Sequence, residues 1–436
     1  MAYYKVKGGN KLNGTVSVSG AKNAAVAIIP AVILCGAECT LKNIPDIEDV
    51  RILIKLLKSV NAKVDFNTKD NILKIDSSTI TKDDCEMIDP VMRDLRASYY
   101  FLGAMLGRFG TAYIKLPGGC AIGERPIDLH IMGIKALDVS IDEDTMNETV
   151  RATANRKDGQ LYCSSRLIYL PKKSVGATIN IMIAASKIKY GEVVINNAAK
   201  EPHVVDVANF LNAMGADVTG AGTDNITIKP ARRWHGCTYE IIPDQIETGT
   251  FMLAAAAAGG SVTVKNVIPK HMESLTQALK NCGVSVCQSW DGERDCLVVE
   301  SDGANSLNSI MVETAPYPGF PTDLQQPLVA MLSCAKGQSY VRETIFESRF
   351  VYIKQLIAMG AVIRVDDRLA CVEGQKKLKG SNVAITDLRA GAALVVAALM
   401  ADGVSHISNI HFLDRGYEHF DEKFRSIGAD IERVEE

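Results

Sequence analysis

A chain of 436 residues is longer than one ordinary hydrophobic core supports, and predicts two domains, each large enough to fold around its own core. With 48 basic and 51 acidic residues the net charge is -3, which excludes the overall basic field of nucleic-acid binders and leaves only local anion sites. The N-terminus, MAYYKVKGGN, lacks the apolar run of a secretion signal, and no stretch approaches the ~20 apolar residues of a membrane span; the reading is a cytoplasmic protein without membrane or nucleic-acid partners. The eleven cysteines include no Cys-x-x-Cys pair, Cys35/Cys39 and Cys282/Cys287 lack zinc spacing, and His406, His411 and His419 lack helical metal spacing. No Walker or dinucleotide fingerprint occurs, so neither a metal nor a cofactor is expected.

In chain order, GTVSVSG opens with a strand, and six apolar, small-residue-rich helices follow, each closed by glycine and a β-rich run. They begin near Lys22 (KNAAVAIIPAV), Arg96 (RASYYFLGAML), Ser174 (SVGATINIMIAA), Glu247 (ETGTFMLAAAAA), Asp323 (DLQQPLVAML) and Asp387 (DLRAGAALVVAALM). After each comes a second helix, a small-residue turn and a short strand, in which Val64, Val139, Val218, Val286, Ile363 and Ile431 align. The period is about 70 to 80 residues, longer than that of solenoid repeats. Helices apolar on every side must be buried, so strands and the second helices surround them. The expected fold is α/β: six βαβαββ repeats, three per lobe, in a two-lobed inside-out α/β barrel with the site in the cleft between lobes. The lobes are read as residues 22–242 and as 1–21 with 243–436.

Helix starts offer free N–H groups and a positive dipole end, so the side chains placed there define the chemistry. The first three repeats present Lys22 and Asn23, Arg93 and Arg96, and Lys172 and Lys173; the last three present Asp244 and Glu247, Asp323, and Asp387 with Arg389. An acid at a helix start is, taken singly, most often a cap. Three basic starts in succession run against the dipole and point to an anionic ligand. Cations on one side and carboxylates on the other suit a polyanionic substrate whose hydroxyl is deprotonated.

One thiol stands apart. Cys120, in LPGGCAIGERPIDLH, sits among glycines between Lys115 and Arg125, where nearby cations favour a thiolate and the glycines allow a loop to open and close. A reactive acid or nucleophile is the sharper reading; an incidental cysteine in a surface turn is the plain one.

The stretches SGAKNAA, LRAS, PGGCAIGERPIDLH, KSVGAT, IETGTF, FPTDLQQP, IFESRF, TDLRA and DRGYEH follow one another along nearly the whole chain, and together the sequence resembles the enolpyruvyl transferases. The cysteine loop is specific to the branch of that family acting on UDP-N-acetylglucosamine. The resemblance implies transfer of enolpyruvate from phosphoenolpyruvate to the sugar 3-hydroxyl with release of phosphate, the first committed step of bacterial peptidoglycan synthesis. It implies that Lys22, Arg125 and Arg415 hold phosphoenolpyruvate, that Asn23 lies near the reacting hydroxyl, and that Asp323 is the base. Cys120 is implied as the proton donor to the methylene carbon, able to form a covalent adduct and to react with fosfomycin. Arg96, Arg125, Pro126, Ile127, Asp128, Leu129, Lys172, Lys173, Ser174, Val175, Asp323 and Ile345 are implied as sugar-nucleotide contacts, with Arg349, Asp387 and Arg389 completing the site. Gln245 departs from the family's usual arginine. The shikimate-pathway enolpyruvyl transferase, which lacks the cysteine loop, and a non-catalytic nucleotide-sugar-binding paralogue are the rival readings; the oligomeric state stays open.

Overall fold

The computed structural model describes residues 2–118, 127–155, 160–161, 166–374 and 377–435. The chain divides into two compact units, one containing residues 20–118 and 127–242 and the other residues 2–19 and 243–435 among those described.

The described residues form six four-stranded sheets, three in each unit. The second repeat shows the pattern: strand Glu86–Met87, helix Tyr100–Phe109, strand Thr111–Lys115, helix Asp128–Lys135, then strands Val139–Asp144 and Thr149–Ala154. Its first two strands run parallel, as a crossover helix requires, and the hairpin strands pair antiparallel. The fourth strand therefore lies between the second and third.

Six helices fill the interiors of their units: α1 (Lys22–Ala31), α2 (Tyr100–Phe109), α3 (Val175–Ala185), α4 (Gln245–Ala258), α5 (Thr322–Leu332) and α6 (Leu388–Met400). Every residue from Ala177 to Ala185, Ile246 to Ala257 and Arg389 to Leu399 is buried, as helices apolar on all sides demand. Small side chains let the backbones approach, and α4, α5 and α6 pack on one another in one unit while α2 packs on α1 and α3 in the other.

The turn from each second helix into the third strand carries a residue with positive φ: Asn61, Asp138, Gly215, Gly283, Gly360 and Gly428. The left-handed conformation explains the glycines and the two short polar substitutes. It also corrects the repeat alignment. Val64, Val218, Val286, Ile363 and Ile431 each lie three residues beyond that turn, but in the second repeat the same spacing from Asp138 falls on Ile141, which pairs with Ala152, not on Val139.

Three sheets borrow a strand from a distant part of the chain. The opening strand spans Leu12–Ser17 and pairs parallel with Gly260–Lys265. Before it, Tyr3–Lys7, which the sequence pattern did not single out, inserts between Val404–Ser408 and Asp430–Val434. Thr238–Glu240 completes the first repeat beside Glu38–Lys42.

Candidate active site

In the unit containing residues 20–118 and 127–242, the start of α1 has no side-chain cap, since Ala21 occupies the N-cap. Lys22 stands in the first turn, where its charge opposes the dipole, and its Nζ lies 2.8 Å from Asp49 Oδ2. Asp49 is buried and Lys22 nearly so, which holds the ammonium in one place. Asn23 follows, half-buried. Asp49 was not foreseen: in sequence it is one more acid in the first turn of a helix, here Glu48–Ser59.

Arg96 is not on the buried helix itself. It opens a separate 3-10 turn, Arg96–Tyr99, ahead of α2, and its guanidinium lies over the Tyr99 ring at 5.8 Å. Arg93 is exposed and paired with Glu148 at 3.0 Å, a solvated surface role. Ile127 is the N-cap of helix Asp128–Lys135, where Asp128 is exposed and Leu129 buried. At α3, Ser174 is the N-cap and its hydroxyl accepts the Ala177 N–H at 3.3 Å; Val175 is the first helical residue. Lys172 is exposed. Lys173 donates to the Ala198 carbonyl and, at 2.5 Å, to Asp224, which Lys200 also holds at 2.7 Å. Both lysines keep the exposed Asp224 carboxyl below the usual carboxylate range. Cys120, Arg125 and Pro126 lie outside the described residues.

In the other unit, the three acidic helix starts separate into two kinds. Asp244 and Asp387 are caps: Asp244 Oδ1 accepts the N–H groups of Ile246 and Glu247, and Asp387 Oδ1 those of Arg389 and Ala390. Glu247 is also satisfied, accepting from the Ser19 N–H at 3.0 Å and from Lys423 at 2.5 Å. Gln245 is the first residue of α4 and half-buried. Asp323 differs. It lies in the first turn of α5 behind an N-cap, Pro321, that caps nothing, and each of its oxygens meets an arginine. Arg349 Nη2 donates to Oδ1 at 2.6 Å, and Arg389 donates to Oδ2 through Nε at 3.0 Å. Both guanidiniums are buried, at 2% and 5% side-chain exposure, while Asp323 keeps 27%. Burial works against the Arg389 charge, but Asp323, Tyr417 and Asp244 together more than offset it and hold the guanidinium firmly protonated. The Asp323 carboxylate is the most exposed part of this cluster.

A second unforeseen acid shapes the cluster. Glu343, 1% exposed, accepts from the hydroxyls of Thr314 and Thr322 and from the N–H groups of Ile345 and Phe346. It thereby ties the Ile345 turn to the first residue of α5. Gln326 adds contacts from Nε2 to the Arg349 carbonyl and to Asp387 Oδ2, both at 3.4 Å. Arg415 is half-buried at the end of the short helix His411–Asp414.

Residues 6–424 match the family described as EPSP synthase (3-phosphoshikimate 1-carboxyvinyltransferase). The chain belongs to this family of enolpyruvyl transferases. It is 48% identical over 435 residues, 100% of both chains, to UDP-N-acetylglucosamine 1-carboxyvinyltransferase of Clostridium botulinum. It is 46% identical to UDP-N-acetylglucosamine 1-carboxyvinyltransferase 2 of Bacillus subtilis, covering 99% of this chain and 97% of that one. Among solved structures it resembles the enolpyruvyl transferase NikO from Streptomyces tendae, with a TM-score of 0.85, 25% identity and 99% of each chain covered. EPSP synthase from Acinetobacter baumannii, at 16% identity and a TM-score of 0.76 over all of both chains, shares the fold. The enolpyruvyl transferase reading of the motifs and the α/β repeat fold thus agree with the relatives. Among the described residues no helix is long and apolar enough to cross a membrane.

Proposed function

We propose that this enolpyruvyl transferase moves the enolpyruvyl group of phosphoenolpyruvate to the 3-hydroxyl of UDP-N-acetylglucosamine and releases phosphate. The observation that carries this is the 48% identity, over the full length of both chains, to a relative of that activity. The side chains fit the reaction. Two anionic substrates call for cations, and Lys22, Arg96, Lys172 and Lys173 stand at or just before helix starts of one unit.

The chemistry is addition followed by elimination. In the addition, Cys120 delivers a proton to the methylene carbon, the sugar oxygen bonds to C2, and Asp323 accepts the hydroxyl proton. Elimination breaks the bond from C2 to the phosphate oxygen, and loss of a proton from the new methyl group restores the double bond. Lys22 and Arg415, with Arg125, are assigned to phosphoenolpyruvate, and Asn23 to the hydroxyl. Arg96, Arg125 to Leu129, Lys172 to Val175 and Ile345 are assigned to the sugar nucleotide, with Arg349 and Arg389 orienting Asp323 and Asp387 completing the set. We place the enzyme in the cytoplasm; the nine described cysteines are free thiols, the state a reducing compartment maintains.

The test is phosphate release from phosphoenolpyruvate with UDP-N-acetylglucosamine or shikimate 3-phosphate as acceptor. Release with the sugar nucleotide alone is expected. Release with shikimate 3-phosphate alone would overturn the assignment, and release with neither would favour a non-catalytic paralogue.

A further inference from the structure

Asn180 lies in the middle of α3, a helix otherwise made of Val, Gly, Ala, Thr, Ile and Met, and is fully buried. A buried carboxamide must find partners for its two N–H donors and its carbonyl, and this one finds them on two other elements. Its Oδ1 accepts the Gly103 N–H at 3.0 Å, and its Nδ2 donates to the Tyr99 carbonyl at 3.1 Å. Tyr99 and Gly103 are four residues apart, so the amide bridges the donor and acceptor of one helical step just after the Arg96 turn. These partners fix the amide's orientation: a carbonyl can only accept and an N–H can only donate. The remaining Nδ2 proton faces His130 Nδ1 at 3.2 Å, so Nδ1 accepts and the ring carries its proton on Nε2.

His130 is 4% exposed and closes the GERPIDLH stretch; its ring packs edge-on against Tyr99 at 4.4 Å. Burial, reinforced by the Arg96 charge, lowers its pKa to about 3, so the imidazole stays neutral. Three glycines permit the approach. A Cβ on Gly103 would sit 2.3 Å from Asn180 Oδ1, one on Gly133 would sit 2.0 Å from Ile181 Cδ1, and one on Gly176 would sit 2.4 Å from the Tyr99 hydroxyl and 3.0 Å from His130. The three glycines thus leave room for the Asn180, Ile181, Tyr99 and His130 side chains where Asp128–Lys135 and α2 each pack on α3.

These helices each continue a segment assigned above to the sugar nucleotide: the Arg96 turn, Ile127 to Leu129, and Lys172 to Val175. We propose that Asn180 and His130 are positioning residues for the nucleotide-sugar acceptor, one buried hydrogen-bond network holding these three segments in a single arrangement. The inference rests on the functional reading above. Neither residue touches the ligand, because both are buried; they act through Arg96, Leu129 and the α3 start. Misplacement of binding groups by a fraction of an ångström is enough to weaken binding strongly.

The test compares wild type with His130→Phe, His130→Gln and Asn180→Asp. Phenylalanine keeps an aromatic ring beside Tyr99 but removes the acceptor, glutamine returns an acceptor, and aspartate removes both donors. Calorimetry reads the Kd for UDP-N-acetylglucosamine, and steady-state kinetics at saturating acceptor reads the KM for phosphoenolpyruvate. His130→Phe and Asn180→Asp are expected to weaken acceptor binding about 10- to 100-fold, with the phosphoenolpyruvate KM within about twofold of wild type and partial recovery in His130→Gln. If Asn180→Asp does not fold, the two His130 variants decide the matter. Folded variants that bind the acceptor as wild type does would overturn the proposal and leave the function standing, as would equal weakening towards both substrates. A wild type that binds no UDP-N-acetylglucosamine would overturn the function, and this inference with it.

Discussion

The two units are built from the same repeat but finish their buried helices differently. In the unit containing residues 20–118 and 127–242, α1 and α2 begin without a side-chain cap, and cations stand beside those starts. In the other, α4 and α6 are closed by Asp244 and Asp387, and only α5 begins without a cap, at the point where Asp323 meets two arginines. A capped start has N–H groups satisfied within the fold, and the carboxylate oxygen that satisfies them is committed. The difference teaches how one backbone unit, repeated six times, separates structure from chemistry: two of the three acidic starts stabilise their helices, and the third holds an oriented, partly exposed carboxylate.

The largest expected effects fall on the groups outside that capping role. Asp323→Asn should cut kcat by about 10²- to 10⁴-fold with sugar-nucleotide affinity largely kept, the range for a lost general base. Turnover at the wild-type level would return Asp323 to a purely structural part. Cys120→Ala should lose most activity and Cys120→Asp should retain much of it, with the alkaline limb of the pH profile shifted downward because a carboxyl ionises at lower pH than a thiol. Intact mass after fosfomycin treatment should show an adduct on wild type and none on either variant; labelling of the Asp variant would place the reactive thiol elsewhere among the eleven cysteines.

Next in size is the cationic side. Lys22→Ala should raise the KM for phosphoenolpyruvate about 10- to 150-fold, the worth of a charge-assisted contact, with little change in acceptor affinity. Asp49→Asn should act in the same direction more weakly, since the lysine remains but loses its buried counter-charge. Equal weakening towards both substrates would show that the helix start does not distinguish them.

His130 gives a stability effect of the same order with a defined sign. Its folded pKa of about 3 lies below the ordinary value of 6.5, so the stability it contributes is fully present above pH 6.5 and is lost as pH falls through the window down to about 3. Relative to His130→Gln, wild type should lose at most about 1.4 kcal/mol per pH unit on acidification within that window. Denaturant unfolding at pH 7 and pH 5 measures it, and parallel pH dependences would remove the histidine from the account.

The smallest effect belongs to the caps. Asp244→Ala should lower unfolding free energy by about 0.5–2 kcal/mol through the loss of the oxygen that accepts two N–H groups. No change in the denaturation midpoint would mean that the two units do not differ in the way their helix ends suggest.

The sequence by itself determined the repeat, the six buried helices and the family, because each rests on local pattern: apolarity on every side of a helix, small-residue turns ahead of the third strand, and motifs spread along the chain. Even so, the aligned valine of the second repeat was displaced by two residues, since two apolar positions of one strand look alike until their partners are known. Charge type at the helix starts was also legible. Whether an acid there caps its helix or pairs with arginines was not, because Asp244, Asp323 and Asp387 occupy similar local contexts and differ only in what the tertiary structure brings to them. Asp323 meets Arg349 from 26 residues away and Arg389 from 66. Asn180 meets Tyr99 from 81 residues away, and Tyr3–Lys7 joins a sheet with strands from the far end of the chain. Partners at such separations are chosen by packing of the whole unit, which decides where each buried donor and acceptor must be satisfied.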